Sequence, residues 1–166
     1  LLHHPVSRLF EVCDEVIVVL APDVEEPSMP AGTEVTFARD VIEGEGPLRG
    51  LSTGLDAVNA EWVVLAGGDM PDLQPTVLRE MLRAARETGV VAVTLSDGGM
   101  ERPLPSVLRT VPATDAARAL LEAGRRSLRD LLAVVATVVV DEPTWTALDP
   151  EHRTLRDIDE PTDMNR

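Results

Sequence analysis

An apolar, β-branched run, Trp62-Val63-Val64-Leu65-Ala66, stops abruptly at Gly67-Gly68-Asp69. Pro71 and a helix-like segment follow. No other stretch constrains the fold as much. A buried strand that breaks at glycines and opens a helix is the junction of an open α/β sheet, and such sheets take ligands beyond the carboxyl ends of their strands. Gly67 and Gly68 permit close backbone approach. Asp69 then projects into the crevice. Two roles fit a carboxylate there: holding Mg²⁺ against phosphates, or capping the next helix. Local sequence leaves both open.

Strand and helix signals alternate along the rest of the chain. The spacing predicts strands over 16–20, 34–38, 62–66, 90–95 and 137–140, and helices over 5–12, 48–59, 75–88, 114–123 and 128–133. The helix over 75–88 is the clearest. Val77, Leu78, Met81 and Leu82 face inward, Arg79, Glu80, Arg83 and Arg86 face outward, and Gly89 ends it. Gly50 and Gly54 share one helix face at i, i+4 spacing. The run 104–109 carries Pro105 and follows directly on Pro103, which makes it an edge strand or an irregular one. Ser127 caps the helix after it. Strands alternating with helices imply one layered α/β domain over 1–166 with a mostly parallel sheet.

Composition narrows the chemistry. A net charge of −14 excludes a nucleic-acid surface, which needs a basic patch. All 15 basic residues are arginines, so any polyanion must be met by a metal, by helix N-termini or by placed arginines. Cys13 is the single cysteine and reads as buried filler, so no intrachain disulfide staples the fold. The histidines show no metal-ligand spacing. No apolar run approaches the ~20 residues that a membrane helix needs, and no signal peptide is visible. A cytoplasmic protein without membrane partners is the expectation.

Three blocks, in this order, resemble the molybdenum cofactor guanylyltransferases and related nucleotidyltransferases. Asp40 followed by Gly46-Pro47-Leu48-Arg49-Gly50-Leu51 is similar to the family's Asp and Gly-Pro-Leu-x-Gly block. Gly68-Asp69-Met70-Pro71 is similar to its Asp-x-Pro block. Residues 156–164 are similar to its C-terminal Asn-x-Asn-(Thr/Ser)-Pro block, with Asp157 and Asp159 where asparagines are usual. Arg102-Pro103-Leu104-Pro105 and Gly124-Arg125-Arg126-Ser127-Leu128 also resemble family segments. The family opens with a strand and a glycine-rich loop bearing Arg and Lys. Leu1 corresponds to a point just beyond that loop, and the later blocks favour an upstream segment over an inactive relative.

The resemblance implies a three-layer, Rossmann-like sheet with helices on both faces, of the nucleotide-diphospho-sugar transferase type. It implies transfer of GMP from GTP to the terminal phosphate of molybdopterin cofactor, with release of pyrophosphate. Asp69 would be the catalytic Mg²⁺ ligand, and Asp40, Gly46, Pro47 and Asp69 would bind the nucleotide. Arg49 and Arg102 either face phosphate or pterin or are solvated surface arginines. Trp62 reads as core or rim packing rather than a stacking platform, and Trp145 is open. Molybdoenzymes or their chaperones are the protein partners the resemblance implies. Rival readings are a cytidylyl- or sugar-phosphate nucleotidyltransferase on the same fold, and a non-catalytic binding domain.

Overall fold

Helices and strands alternate through the described part of the computed structural model, residues 2–42 and 44–157. The order is α1 (His3–Phe10), β1 (Ile17–Leu20), β2 (Thr36–Arg39), α2 (Pro47–Asp56), β3 (Trp62–Leu65), α3 (Pro75–Thr88), β4 (Ala92–Asp97), β5 (Met100–Arg109), α4 (Thr110–Glu122), α5 (Leu128–Val134), β6 (Thr137–Val140) and α6 (Glu142–Thr146). A 3₁₀ turn, Arg153–Leu155, follows. The C-terminal block lies, from residue 158 on, outside the described residues.

α3 and β6 begin and end where the residue pattern places them. Pro75 opens α3 at a position whose N–H has no intrahelical partner, and Gly89 closes it at φ +66°. Of the residues expected inward, Val77, Leu78 and Met81 are fully buried and Leu82 is partly buried at the margin of the core, while Ala85, one turn on from Met81, is fully buried. Burying each such aliphatic side chain larger than alanine is worth about 1.5–3 kcal/mol.

The larger sheet has the order β3-β5-β4-β6. β4 and β6 are parallel, and β5 is antiparallel to both β3 and β4, so β5 alone opposes the other three. This is where the proline-bearing run falls. It is an interior strand, which removes the edge alternative, and it is irregular, as the other alternative holds. The ladder with β4 shifts register between Val93 and Leu95, while the ladder with β3 begins only at Ser106. Pro103 and Pro105 sit in that gap, where their missing N–H groups remove no paired ladder bond.

β4 and β5 form a hairpin that the residue pattern alone did not suggest. Asp97 pairs with Met100 across Gly98 and Gly99, which sit at φ +58° and +76°. A two-residue turn with positive φ at both positions matches the twist of the flanking strands, and glycine adopts it without steric cost. Leu65 is opposite Ser106, so residues 100–105 overrun the end of β3.

Helices cover both faces of this sheet. Met70, Leu73, Met81, Val93, Val107 and Trp145 form one core, beneath α3 and α6. Leu48, Leu51, Leu55, Ala92, Leu108, Ala117 and Leu131 form the other, beneath α2, α4 and α5. Adjacent strand residues, Ala92 and Val93 or Val107 and Leu108, go to opposite cores because side chains alternate across a pleated strand.

β1 and β2 make a separate parallel pair. Val16 and Val18 meet Val6 of α1 on one face. On the other, Val19 packs on α2, whose Gly54 is so near that an added β-carbon would stand 3.1 Å from a Val19 methyl. Among the described residues β1 pairs only with β2, and β3 only with β5. No described helix is long and apolar enough to cross a membrane.

Candidate active site

The turn after β3 is built around a glycine. The Met70 N–H donates to the Gly67 carbonyl at 3.3 Å, and the Gly67 N–H points at the Met70 sulfur at 3.4 Å. Met70 is buried and anchors the turn in the core, while Gly68 and Asp69 face solvent. A β-carbon on Gly67 would overlap Oδ1 of Asp69. The carboxylate therefore folds back over residue 67, in a rotamer that a β-carbon at that position would displace. Asp69 does not cap α3. The N-cap is Gln74, without a side-chain cap bond.

Among the described residues, the Asp69 carboxylate makes no hydrogen bond or ion pair with the protein. Two other carboxylates, of Asp72 and Asp40, are engaged. Asp72 takes Arg156 at 3.2 Å, and Asp40 accepts the Thr53 hydroxyl at 2.5 Å. An exposed carboxylate with both oxygens free, at a strand end, is the donor Mg²⁺ accepts. That ion takes one or two carboxylates and completes its shell with phosphate oxygens and water.

Gly46 and Pro47 open α2, and Asp40 meets the same helix further along, at Gly50 and Thr53. The Asp40 N–H is held by the Leu20 carbonyl at 2.9 Å, which fixes the turn leaving β2. Thr53 then reaches across from α2 to Oδ1, and Oδ2 lies 3.7 Å from where a β-carbon on Gly50 would stand. Thr53 was not singled out from the sequence. A threonine inside a helix carries no signal for a partner 13 residues away.

Gly46 precedes α2 at φ +82°, and a β-carbon there would stand 3.0 Å from the Arg126 carbonyl oxygen. That same oxygen accepts the Leu48 N–H at 3.1 Å. The close approach that Gly46 permits is thus to the backbone before α5. Pro47 takes the first helical position, where its ring costs nothing. Glu45 lies between two guanidinium groups, 2.5 Å from Arg49 and 3.7 Å from Arg126. Arg102 is paired to Asp97 at 2.5 Å. Both arginines singled out from the sequence are therefore ion-paired on the protein.

No hydrogen bond or ion pair joins Asp69 to Asp40, Gly46 or Pro47 among the described residues. Nor do these four line either of two clefts, of about 450 and 1210 Å³, on the flanks of α1. Both tryptophans pack. Trp62 is half-buried under the Arg109 guanidinium, 5.8 Å from its ring centroid, and Trp145 is wholly buried. Cys13, expected to be buried, is half-buried at the smaller cleft, and burial and secondarily Asp14 push its thiol above its usual range.

Comparison with known proteins identifies the family. The chain is 30% identical over 165 residues to a probable molybdenum cofactor guanylyltransferase of Natronomonas pharaonis, covering 96% of this chain and 79% of that one. It is 33% identical over 135 residues to the Mycolicibacterium paratuberculosis protein of the same description, covering 80% of this chain and 66% of that one. The fold resembles that of molybdopterin-guanine dinucleotide biosynthesis protein A from Archaeoglobus fulgidus, at a TM-score of 0.67 and 22% identity over 78% of this chain and 65% of that chain. It also resembles 2-C-methyl-D-erythritol 4-phosphate cytidylyltransferase from Thermus thermophilus, at a TM-score of 0.71 and 18% identity over 98% of this chain and 84% of that chain. A family model described as a MobA-like NTP transferase domain matches residues 1–142. The chain belongs to the MobA-like NTP transferase domain family.

Proposed function

We propose that this chain is a nucleotidyltransferase domain, 1–166, that joins GMP from GTP to the terminal phosphate of molybdopterin cofactor. The observation that carries the reading is the Asp69 carboxylate, free of protein partners on a glycine turn at the end of β3. The relatives described as molybdenum cofactor guanylyltransferases support the choice of substrates.

An oxygen of the acceptor phosphate forms a bond to the α-phosphorus of GTP. The bond from that phosphorus to the bridging oxygen breaks, and pyrophosphate leaves with the electron pair. The acceptor is already ionised at pH 7, so no protein base is needed. Such chemistry depends on positioning and on neutralising phosphate charge. Mg²⁺, when bound, supplies that neutralisation, and Asp69 would hold it. The side of α2 that bears Gly50 and Thr53 would receive the nucleoside, with the Asp40 carboxylate available to guanine's N1–H and exocyclic amine while Oδ1 also accepts from Thr53. Product delivery to molybdoenzymes or their chaperones, in the cytoplasm, belongs to the same reading.

Competitive titration with GTP and CTP in the presence of Mg²⁺ tests it. Guanine offers Asp40 a donor pair that cytosine's pairing edge lacks, and an unmatched polar group costs about 1–3 kcal/mol. GTP should bind about tenfold or more tightly. Equal affinities, or tighter CTP, would defeat the guanylyl assignment in favour of a cytidylyltransferase.

A further inference from the structure

Three side chains from separate segments converge. Asp97 ends β4, Glu142 opens α6, and His152 precedes the 3₁₀ turn. One ligand atom from each lies within 4.8 Å of the others. Among the described residues, none of the three hydrogen-bonds to another. They are gathered without being satisfied by one another.

What holds them comes from outside the trio. Arg102 donates through Nε and Nη2 to Oδ2 of Asp97, at 3.0 and 2.5 Å. The Gly98 N–H donates to Oε2 of Glu142 at 2.9 Å. Each carboxylate thus has one oxygen anchored and the other left without a protein partner. His152 sits at φ +53°, its N–H bonded to the Asp149 carbonyl at 3.0 Å. Its imidazole rests edge-on against the buried Trp145 ring, centroids 4.9 Å apart. The Trp145 indole N–H in turn donates to the carbonyl of Ser96, the residue before Asp97, at 2.7 Å. The platform under the imidazole and the strand end that bears Asp97 are therefore tied together.

One imidazole nitrogen with two carboxylate oxygens is a donor set for a first-row divalent ion such as Zn²⁺. Mg²⁺ prefers an all-oxygen shell. Anchoring one oxygen of a ligating carboxylate from outside is how outer partners aim metal ligands. Arg102 offsets one of the two negative charges, and the remaining one still favours a cation. We propose that Asp97, Glu142 and His152 form a site for a Zn²⁺-class ion that clips the β4–β5 hairpin to α6 and to the segment 149–155. The proposal does not rest on the catalytic reading of Asp69.

Calorimetric titration of the full chain with ZnCl₂ is the test, paired with thermal melts in Zn²⁺ and in Mg²⁺. One equivalent of Zn²⁺ should bind, and Tm should rise with Zn²⁺ concentration but not with Mg²⁺ at the same concentrations. His152→Asn suits the left-handed backbone there and removes the imidazole. Glu142→Gln keeps an acceptor for Gly98. Each should weaken Zn²⁺ binding by about tenfold or more, with an unchanged circular dichroism spectrum. Asp69→Asn should bind Zn²⁺ at this site as the parent does. No saturable binding, binding unaffected in both site variants, or loss of binding in Asp69→Asn alone would overturn the proposal.

Discussion

Oδ1 of Asp69 lies over Gly67, too close to the place a β-carbon would occupy for both to be there. The glycine therefore sets the direction of the carboxylate, even though the two residues share no hydrogen bond. Gly67→Ala should force Asp69 to another rotamer and displace its oxygens by an ångström or more. A misplacement of that size costs about 10²-fold in rate. Because Asp69 is exposed and can swing into solvent, stability should fall by only about 1 kcal/mol. Pyrophosphate-release kinetics and a denaturant melt on the same sample separate the two effects. Wild-type kinetics in this variant would mean that the carboxylate's orientation is irrelevant.

Asp69→Asn should leave Tm unchanged, since the carboxylate has no protein partner to lose. Turnover with Mg²⁺ should fall by about 10³-fold, because a metal that stabilises transferring phosphates is worth several kcal/mol. Near-normal pyrophosphate release would remove Asp69 from the metal site.

Thr53→Val deletes the hydroxyl that pins Asp40 while nearly preserving side-chain volume. It should cost about 1 kcal/mol of stability. If Asp40 positions the nucleoside, KM for GTP should rise several-fold with kcat little altered, the pattern of lost ground-state binding. An unchanged KM would confine the Thr53–Asp40 bond to holding α2 on the β1–β2 pair.

Gly50 and Gly54 share a face of α2, yet substitution should move stability in opposite directions. An alanine methyl at 54 would stand 3.1 Å from Cγ2 of Val19, and one at 50 would stand 3.7 and 4.0 Å from its nearest neighbours. At Gly50 the helix propensity of alanine should dominate and add about 0.5–1 kcal/mol. At Gly54 the stiff, β-branched Val19 should resist, and overpacking of about 1–3 kcal/mol should outweigh that gain. Urea unfolding of both variants checks the signs. Val19→Ala combined with Gly54→Ala should recover most of the loss, as coupled neighbours do.

The layered α/β class was legible in the chain because each element buries a face of its own. The spacing of Val77, Leu78 and Met81 marks α3, and the unbroken Thr137–Val140 run marks β6, before anything is packed against them. The turn that carries Asp69 was legible for the same reason, since a strand that stops at two glycines and an acid is a local event. Local chemistry could not place the proline-bearing β5 inside the sheet. That depended on a register shift opposite Val93 and Leu95, which belongs to a pair of strands and not to either one. Nor could it supply Thr53 to Asp40, the Arg126 backbone to Gly46, or Glu142 and His152 to Asp97. Those partners lie far apart in sequence, and the sheet order and the helices packed on it brought them within reach. Periodicity is set by how each residue meets water, and the chain carries it openly. Pairing across elements is set by where the backbone ends up, and only the tertiary structure decided that.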